Sequence, residues 1–306
     1  MFTTSTYPRS FKSAQLFPIH KSGDPTKIQN YRPISLLPVL NKLVEKIIAS
    51  QINKYVTDHK LLNENQFGFR EGRACENAAH ELLGYISENI EKRKNCIAVF
   101  CDVSRAFDTV CRDRLLGKLE RMGIRGGALR LMTAYLSDRT QIFKVGDAAG
   151  EKENIGSGVP QGSVLAPHLF NLYMNDLFTV TGEYKTVLFA DDAVMVVTGV
   201  DADTTCDAAS DLITRVNEWM RTNGLLLNIS KTKVMSLQPG QRRPLTKNVK
   251  IHTERCRTRQ GCDCPALEQV EEYKYFGLII QSNLKFEQHI AKSPKASGPE
   301  SRSWLD

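Results

Sequence analysis

Between residues 40 and 56, Leu40, Leu43, Val44, Ile47, Ile48, Ile52, Tyr55 and Val56 recur at spacings of three and four. On a helix these positions share one side, so the pattern predicts an amphipathic helix that buries them, with Pro33 and Pro38 keeping the approach extended. A second helix is predicted to begin near Ala74 and end before Cys96, carrying Cys75, Ala78, Ala79, Leu82, Leu83, Ile86 and Ile90 inward. CIAVFCDV at 96–103 is a short continuous apolar run rich in β-branched residues, as expected of a strand buried on both faces, and it delivers Asp102 at its end. In TVLFADDAVMVV at 186–197 two strand-forming runs are interrupted by Asp191 and Asp192, which predicts a β-hairpin. A helix follows from about Thr205 to Asn223, with Cys206, Ala209, Leu212, Ile213, Val216, Trp219 and Met220 inward, a Thr204 to Asp207 capping pattern and Gly224 as terminator. Strand-like runs at 225–229 and 273–280 complete the pattern. Helices and strands alternate irregularly around the hairpin, which predicts an α+β fold rather than a regular doubly wound sheet.

Composition adds bounds to this picture. The 306 residues suffice for one large domain or two ordinary ones, and 41% hydrophobic with 25% charged residues is globular composition. A formal charge of +7 favours a polyanionic partner without selecting one. No apolar run approaches the roughly 18–20 residues that span a bilayer, and MFTTSTYPRSFKSAQ lacks an apolar stretch of signal-peptide length. The expectation is an intracellular protein of nucleus or cytoplasm with no membrane partner. Eight cysteines without a signal peptide are expected to be free thiols, Cys96 and Cys101 serving as small core residues.

The chemistry concentrates on carboxylates. Two of them about 4 Å apart at an effective dielectric near 20 repel by roughly 4 kcal/mol, so an Asp-Asp hairpin tip calls for a cation. A strand ending at Asp102 beside the hairpin brings three carboxylates together, an all-oxygen donor set suited to Mg²⁺ or Mn²⁺. Taken alone, the pair Asp191 and Asp192 also reads as ordinary turn residues.

The pair is not alone. FCDVSRAFDTV at 100–110, GVPQGSVLAPHLFNLYMNDL at 158–177 and FADD at 189–192 occur in that order, and with them the chain resembles the reverse transcriptase family, in particular that of non-long-terminal-repeat (LINE-type, Jockey-like) retrotransposons of animals. KSGDPTKIQNYRPISLLPVLNKLVEK at 21–46 and NENQFGFREGRA at 63–74 resemble finger motifs, while GLLLNISKTKVM at 224–235 and EEYKYFGLII at 271–280 resemble later palm motifs and the primer grip. The similarity runs from about residue 7 to 290. It implies a right-hand fold, with fingers over about 1–95 and a palm over about 96–285 whose antiparallel sheet bears the Asp-Asp hairpin. It also implies an RNA-directed DNA polymerase that uses two Mg²⁺ or Mn²⁺ ions, an RNA template, a DNA primer and deoxynucleoside triphosphates. Residues 286–306 read as a truncated thumb entry or degenerate tail, AKSPKASGPESRSWLD lacking helical period, so the chain reads as a fragment of a mobile element with the thumb largely absent. The competing reading is a catalytically silent, nucleic-acid-binding remnant.

By this resemblance Asp102 and Asp191 are the principal metal ligands, with Asp192 weaker or indirect. Phe107, five residues after Asp102, lies where the family carries an aromatic beneath the incoming sugar; a core aromatic is the alternative. Asp108, one place further on, complicates this reading, because RNA-dependent RNA polymerases use an acidic residue nearby; FADD in place of Gly-Asp-Asp favours reverse transcription. Gly158 and Gly162 permit close backbone approach, and Gln161 offers an amide to template or nucleotide. Arg32 and Lys21 are candidate triphosphate clamps or solvated charges. Lys231 is the candidate proton donor to pyrophosphate, with Lys233 close by as the alternative. Tyr275, Phe276 and Gly277 resemble a primer grip, the alternative being a buried strand. The basic residues from Arg242 to Arg259 read as a phosphate-contacting or solvated loop. His252, Cys256, Cys262 and Cys264 are potential zinc ligands, although Cys-x-Cys is tighter than the spacing of common structural zinc sites.

Overall fold

A computed structural model describes residues 3–239, 244–253, 256 and 262–292. The chain opens with strands β1 (Ser13–His20) and β2 (Tyr31–Leu36), then helices α1 (Val39–Asp58) and α2 (Cys75–Glu91). Strands β3 (Asn95–Cys101) and β4 (Val103–Ser104) lead to helices α3 (Arg112–Arg121) and α4 (Gly126–Leu136). Next come β5 (Arg139–Val145), β6 (Ala148–Ile155), α5 (Ala166–Met174) and α6 (Leu177–Thr181). The hairpin β7 (Lys185–Phe189) and β8 (Asp192–Gly199) is followed by α7 (Ala202–Thr222), β9 (Leu226–Leu227) and β10 (Lys233–Leu237). The last described elements are β11 (Glu268–Gln269), β12 (Glu272–Tyr275), β13 (Leu278–Gln281) and α8 (Glu287–Lys292).

A five-stranded sheet ordered β11-β10-β3-β8-β7 is the centre of this α+β fold, antiparallel except for the short β10–β11 pair. Its middle strand, β3, is buried on both faces, as the continuous apolar run predicts. Ile97, Val99 and Cys101 face one core, which includes Cys206, Leu212 and Val216 of α7; Cys96, Ala98 and Phe100 face the other, with Leu82 and Ile86 of α2 and Tyr275 and Ile280 of the β12–β13 hairpin. A second sheet, ordered β2-β1-β5-β6, joins two antiparallel hairpins through the parallel β1–β5 pair.

Three expectations need correction. Helix α1 forms, but Leu40, Leu43 and Ile47 are exposed, and the buried side instead carries Asn41, Glu45, Ile48, Ala49, Ile52 and Val56. The cause is a polar contact that apolar spacing cannot reveal. Glu45 is fully buried and accepts hydrogen bonds from Asn41 Nδ2 (2.9 Å), Tyr135 Oη (3.1 Å) and the Val164 backbone N–H (2.6 Å), while Tyr7 donates to Asn41. Helix α7 starts earlier than expected, because Asp201 rather than Thr204 is its N-cap: the Asp201 carboxylate accepts from the Thr204 N–H (2.8 Å) and hydroxyl. The run at 273–280 is a hairpin, not one strand, since Phe276 (φ +51°) and Gly277 (φ +82°) turn it back on itself. Gly224 (φ +71°) does terminate α7, as expected, and Pro167 sits in the first turn of α5.

Removing the Glu45 carboxylate takes the acceptor from the Asn41 amide and the Val164 N–H, while the Tyr135 hydroxyl keeps only Ser163 Oγ (3.1 Å). Glu45→Ala is expected to cost roughly 3–5 kcal/mol in urea unfolding, and Glu45→Gln markedly less. A loss below about 1 kcal/mol for the alanine variant contradicts this role.

Candidate active site

The site grows from the end of the central sheet. In the β3–β8 register Cys101 faces Ala193, so the same register carried one residue further sets Asp102 across from Asp192. Asp102 is fixed by its own backbone: its N–H donates to Thr232 Oγ1 (3.3 Å) and its carbonyl accepts from the Asn228 N–H (2.8 Å). The β4–β9 pairing, Val103 with Leu227 and Ser104 with Leu226, continues that clamp. The segment GLLLNISKT therefore holds the first carboxylate in place.

The other two lie on the β7–β8 hairpin, closed by Phe189 opposite Asp192 with Ala190 and Asp191 as the two-residue turn. Ala190 has φ +58°, a conformation costly for a residue with a side chain, so the surroundings must impose it. Gln66 Oε1 accepts from the N–H groups of Gly68 (3.1 Å) and Ala190 (3.4 Å). A Cβ at Gly68 would stand 2.3 Å from the Ala190 nitrogen, and the Gly68 carbonyl is held by Asn171 Nδ2 at 2.6 Å. Phe67 N–H also donates to the Leu188 carbonyl (2.8 Å), and Leu188 N–H to that of Asn65 (2.9 Å), which covers the open edge of β7. Gln66, Gly68 and Asn171 were not singled out by sequence reasoning; their only signals were the segments NENQFGFREGRA for the first two and GVPQGSVLAPHLFNLYMNDL for Asn171.

Burial raises the carboxyl pKa of Asp191 above the ordinary range, and Asp102 adds to this; Arg32 and Lys21 act in the opposite direction. Asp192 is raised to about 6, first by desolvation and then by the charges of Asp191 and Asp102, with Lys21 opposing. The Asp192 side chain is itself open at the cleft mouth, so solvent screens part of that penalty. Among the described residues none of the three carboxylates has an ion-pair partner. Three converging carboxylates with no ion-paired cation among the described residues are a donor set that fits hard divalent ions.

The GVPQGS loop lies against the same cleft. Gly158 and Val159 N–H groups donate to the carbonyls of Val110 (2.8 Å) and Phe107 (2.9 Å), and Ser35 N–H donates to that of Gln161 (2.8 Å). Gly162 has φ +100°, and a Cβ there would meet the Ser35 carbonyl at 2.8 Å. Phe107 is half-buried and stacks on Phe170 at 4.6 Å, a contact that holds the ring in one orientation. Gln161 Nε2 donates to Asp108 Oδ1 (3.3 Å), and burial raises the Asp108 pKa.

The remaining candidates divide. Arg32 and Lys21 are exposed on and just beyond the β1–β2 hairpin, near enough for their charge to act on the aspartates. The Lys231 side chain is exposed with no partner among the described residues, whereas that of Lys233 is engaged by Glu268 and by the Ser230 carbonyl (2.6 Å). Tyr275 is 5% exposed and packs against Phe100, so its side chain belongs to the core; Phe276 and Gly277 form the hairpin tip, with Phe276 against Phe189 at 5.2 Å. Of the basic loop, Arg242, Arg243, Arg255, Arg257 and Arg259 lie outside the described residues, and Lys247 pairs with Asp207 (2.9 Å).

A family model described as reverse transcriptase (RNA-dependent DNA polymerase) matches residues 19–280. The probable RNA-directed DNA polymerase from transposon BS of Drosophila melanogaster is 29% identical over 292 residues, covering 93% of this chain and 31% of the relative. The RNA-directed DNA polymerase from mobile element jockey of the same species is 28% identical over 298 residues, covering 95% and 31%. The chain thus spans about a third of the length of these curated relatives. Among solved structures, telomerase from Candida tropicalis in complex with a TWJ fragment of telomeric RNA superposes with a TM-score of 0.60 at 12% identity, covering 98% of this chain and 48% of that one. At that identity the likeness speaks for the fold, a polymerase palm with fingers.

In the metal-free protein the Asp192 carboxyl is expected to titrate near pH 6 by carboxyl-carbon NMR. Because its folded pKa is raised, the folded state holds more protons than the unfolded one between about pH 4 and 6, so stability should fall as pH rises through that window. Titration of Asp192 near the ordinary aspartate value of about 4 would contradict the cleft's electrostatics.

Proposed function

The chain belongs to the reverse transcriptase (RNA-dependent DNA polymerase) family, and on that premise we propose that it is the polymerase portion of a non-long-terminal-repeat retrotransposon protein, copying RNA into DNA. The observation that carries the reading is the convergence of Asp102, Asp191 and Asp192 at the end of the central sheet with no ion pair to them among the described residues. In this reading residues 1–95 are the fingers, 96–285 the palm, and 286–306 the entry to a thumb.

Asp102 and Asp191 would hold two divalent ions, Mg²⁺ or Mn²⁺, with Asp192 a weaker or indirect ligand. When bound, these ions supply an acidified primer 3′-hydroxyl and neutralisation of charge on the departing pyrophosphate. The protein's own contribution is placement, which is what phosphoryl transfer chiefly requires. Rigid strand ends and the Gln66–Gly68 cradle keep the carboxylates fixed, so little reorganisation accompanies reaction. Phe107, its ring orientation held by Phe170, closes the space beneath the sugar and excludes a ribose 2′-hydroxyl. Gln161 presents its amide to the nucleotide or template from a backbone that Gly162 brings against β2. Arg32 and Lys21 meet the triphosphate, guanidinium and ammonium matching its oxygens. Lys231, unlike Lys233, has a free ammonium with which to protonate pyrophosphate. Phe276 and Gly277 support the primer end from the hairpin tip, with Tyr275 anchoring that hairpin in the core.

Primer extension by the purified chain on an RNA template, with and without Mg²⁺, tests this reading. Asp191→Asn is expected to lower nucleotide incorporation by at least about three orders of magnitude, equivalent to roughly 4 kcal/mol, with folding intact. Near-normal incorporation by a folded Asp191→Asn variant removes this residue from the site.

Phe107→Val is expected to raise ribonucleotide use relative to deoxynucleotide use in paired incorporation assays. An unchanged ratio leaves Phe107 as a core aromatic.

A further inference from the structure

Some thirty residues separate β10 from β11, a connection too long to lie ordered without support of its own. Its described parts form two arms that pair with each other. Leu267 N–H donates to the Val249 carbonyl (2.8 Å) and Ile251 N–H to that of Pro265 (2.9 Å), with Lys250 bridged to Ala266. Val249, Ile251 and Leu267 are buried in the main core, and α7 grips the first arm: Lys250 N–H donates to Ser210 Oγ (3.1 Å) and His252 N–H to Thr214 Oγ1 (2.9 Å). Beyond this anchor His252, Cys256, Cys262 and Cys264 gather, all half-buried.

Their ligand atoms all lie within 4.8 Å of one another, and His252 Nδ1 is 3.5 Å from both Cys256 Sγ and Cys262 Sγ. Zinc bonds of about 2.3 Å to sulfur and 2.0–2.1 Å to nitrogen, at tetrahedral angles, put nitrogen and sulfur about 3.6 Å apart; right-angled octahedral geometry would put them nearer 3.1 Å. The two separations from His252 Nδ1 match the tetrahedral value. All three cysteines are free of disulfide bonds. Three thiolates and a neutral imidazole around Zn²⁺ leave one net negative charge, and the Lys250 ammonium, which donates to the Cys262 carbonyl, stands beside it. The narrow Cys-x-Cys spacing, an objection at the level of sequence, is no obstacle here, because the backbone brings Cys262 and Cys264 to the same cluster.

The geometry points to a structural zinc site of three cysteines and one histidine, Cys256, Cys262, Cys264 and His252 Nδ1, that closes the long connection between β10 and β11 against α7. Four protein ligands leave no open position, so the site stabilises and does not catalyse. It is distinct in donor chemistry from the carboxylate cleft, and it stands whether or not that cleft polymerises nucleotides. Metal binding contributes directly to the folding of the connection, as in other small metal-closed segments.

The test is cobalt substitution and metal analysis of the full chain, purified under reducing conditions with zinc supplied. One zinc per chain is expected, and Co²⁺ replacing it should show thiolate charge-transfer bands and intense four-coordinate d–d absorption, which oxygen ligands cannot produce. Cys262→Ser with Cys264→Ser should abolish both signals, while Cys75→Ser leaves them unchanged. In the unmodified chain, chelation should also lower the hydrogen-exchange protection of the Ile251 and Leu267 amides. Cobalt binding without thiolate bands, substoichiometric zinc, or a disulfide within the cluster overturns the proposal, and the wild-type spectrum decides even where a variant fails to fold.

Discussion

Three carboxylates forced together at the end of a buried sheet repel one another, and much of the architecture around them exists to hold that arrangement. β3 is enclosed on both faces and cannot shift to relieve the repulsion. The hairpin turn cannot relax either, because Gly68 leaves no room behind Ala190 and Gln66 binds the turn's backbone. Desolvation and mutual charge therefore appear as raised pKa values at Asp191 and Asp192. A site with this stored electrostatic strain gains most from a divalent cation, which links the packing of a sheet to affinity for metal.

The same logic extends outward through polar contacts rather than apolar ones. Buried Glu45 on α1 binds the Val164 N–H two residues beyond Gly162, and Gly162 in turn lies against Ser35 of β2. Helix α1, the GVPQGS loop and the β1–β2 hairpin are thereby locked into one unit on one side of the cleft. On the other side Thr232 and Asn228 grip Asp102. A buried network of this kind is costly when incomplete, so it specifies one arrangement of α1, the loop and the β1–β2 hairpin.

Sequence made the centre of the fold legible because β-strand burial and acidic hairpin tips leave strong local signals: CIAVFCDV, TVLFADDAVMVV and the approach of Asp102 to the hairpin were all readable. The supporting contacts were not. Nothing in the spacing of Leu40, Leu43 and Ile47 shows that α1 turns Glu45 inward, because a buried acid depends on partners more than 80 residues away, such as Tyr135. Gln66 and Gly68 act on a turn more than 120 residues later, through atoms that sequence order does not relate. The zinc-like cluster was visible only as residue types; the distances that distinguish it arise from pairing between arms whose register no local pattern specifies. The φ > 0 turn at Phe276 was likewise hidden, since an aromatic residue is an unusual choice there.

The claim that carboxylate repulsion is relieved by divalent cations is tested most directly by thermal unfolding of the chain at neutral pH over a series of Mg²⁺ concentrations. The account predicts a rise in Tm that saturates with Mg²⁺ in the unmodified chain, and an Asp191→Asn, Asp192→Asn double variant that starts higher without metal and gains almost nothing from it. Equal stabilisation of both proteins by Mg²⁺, or a double variant that begins lower, would contradict it.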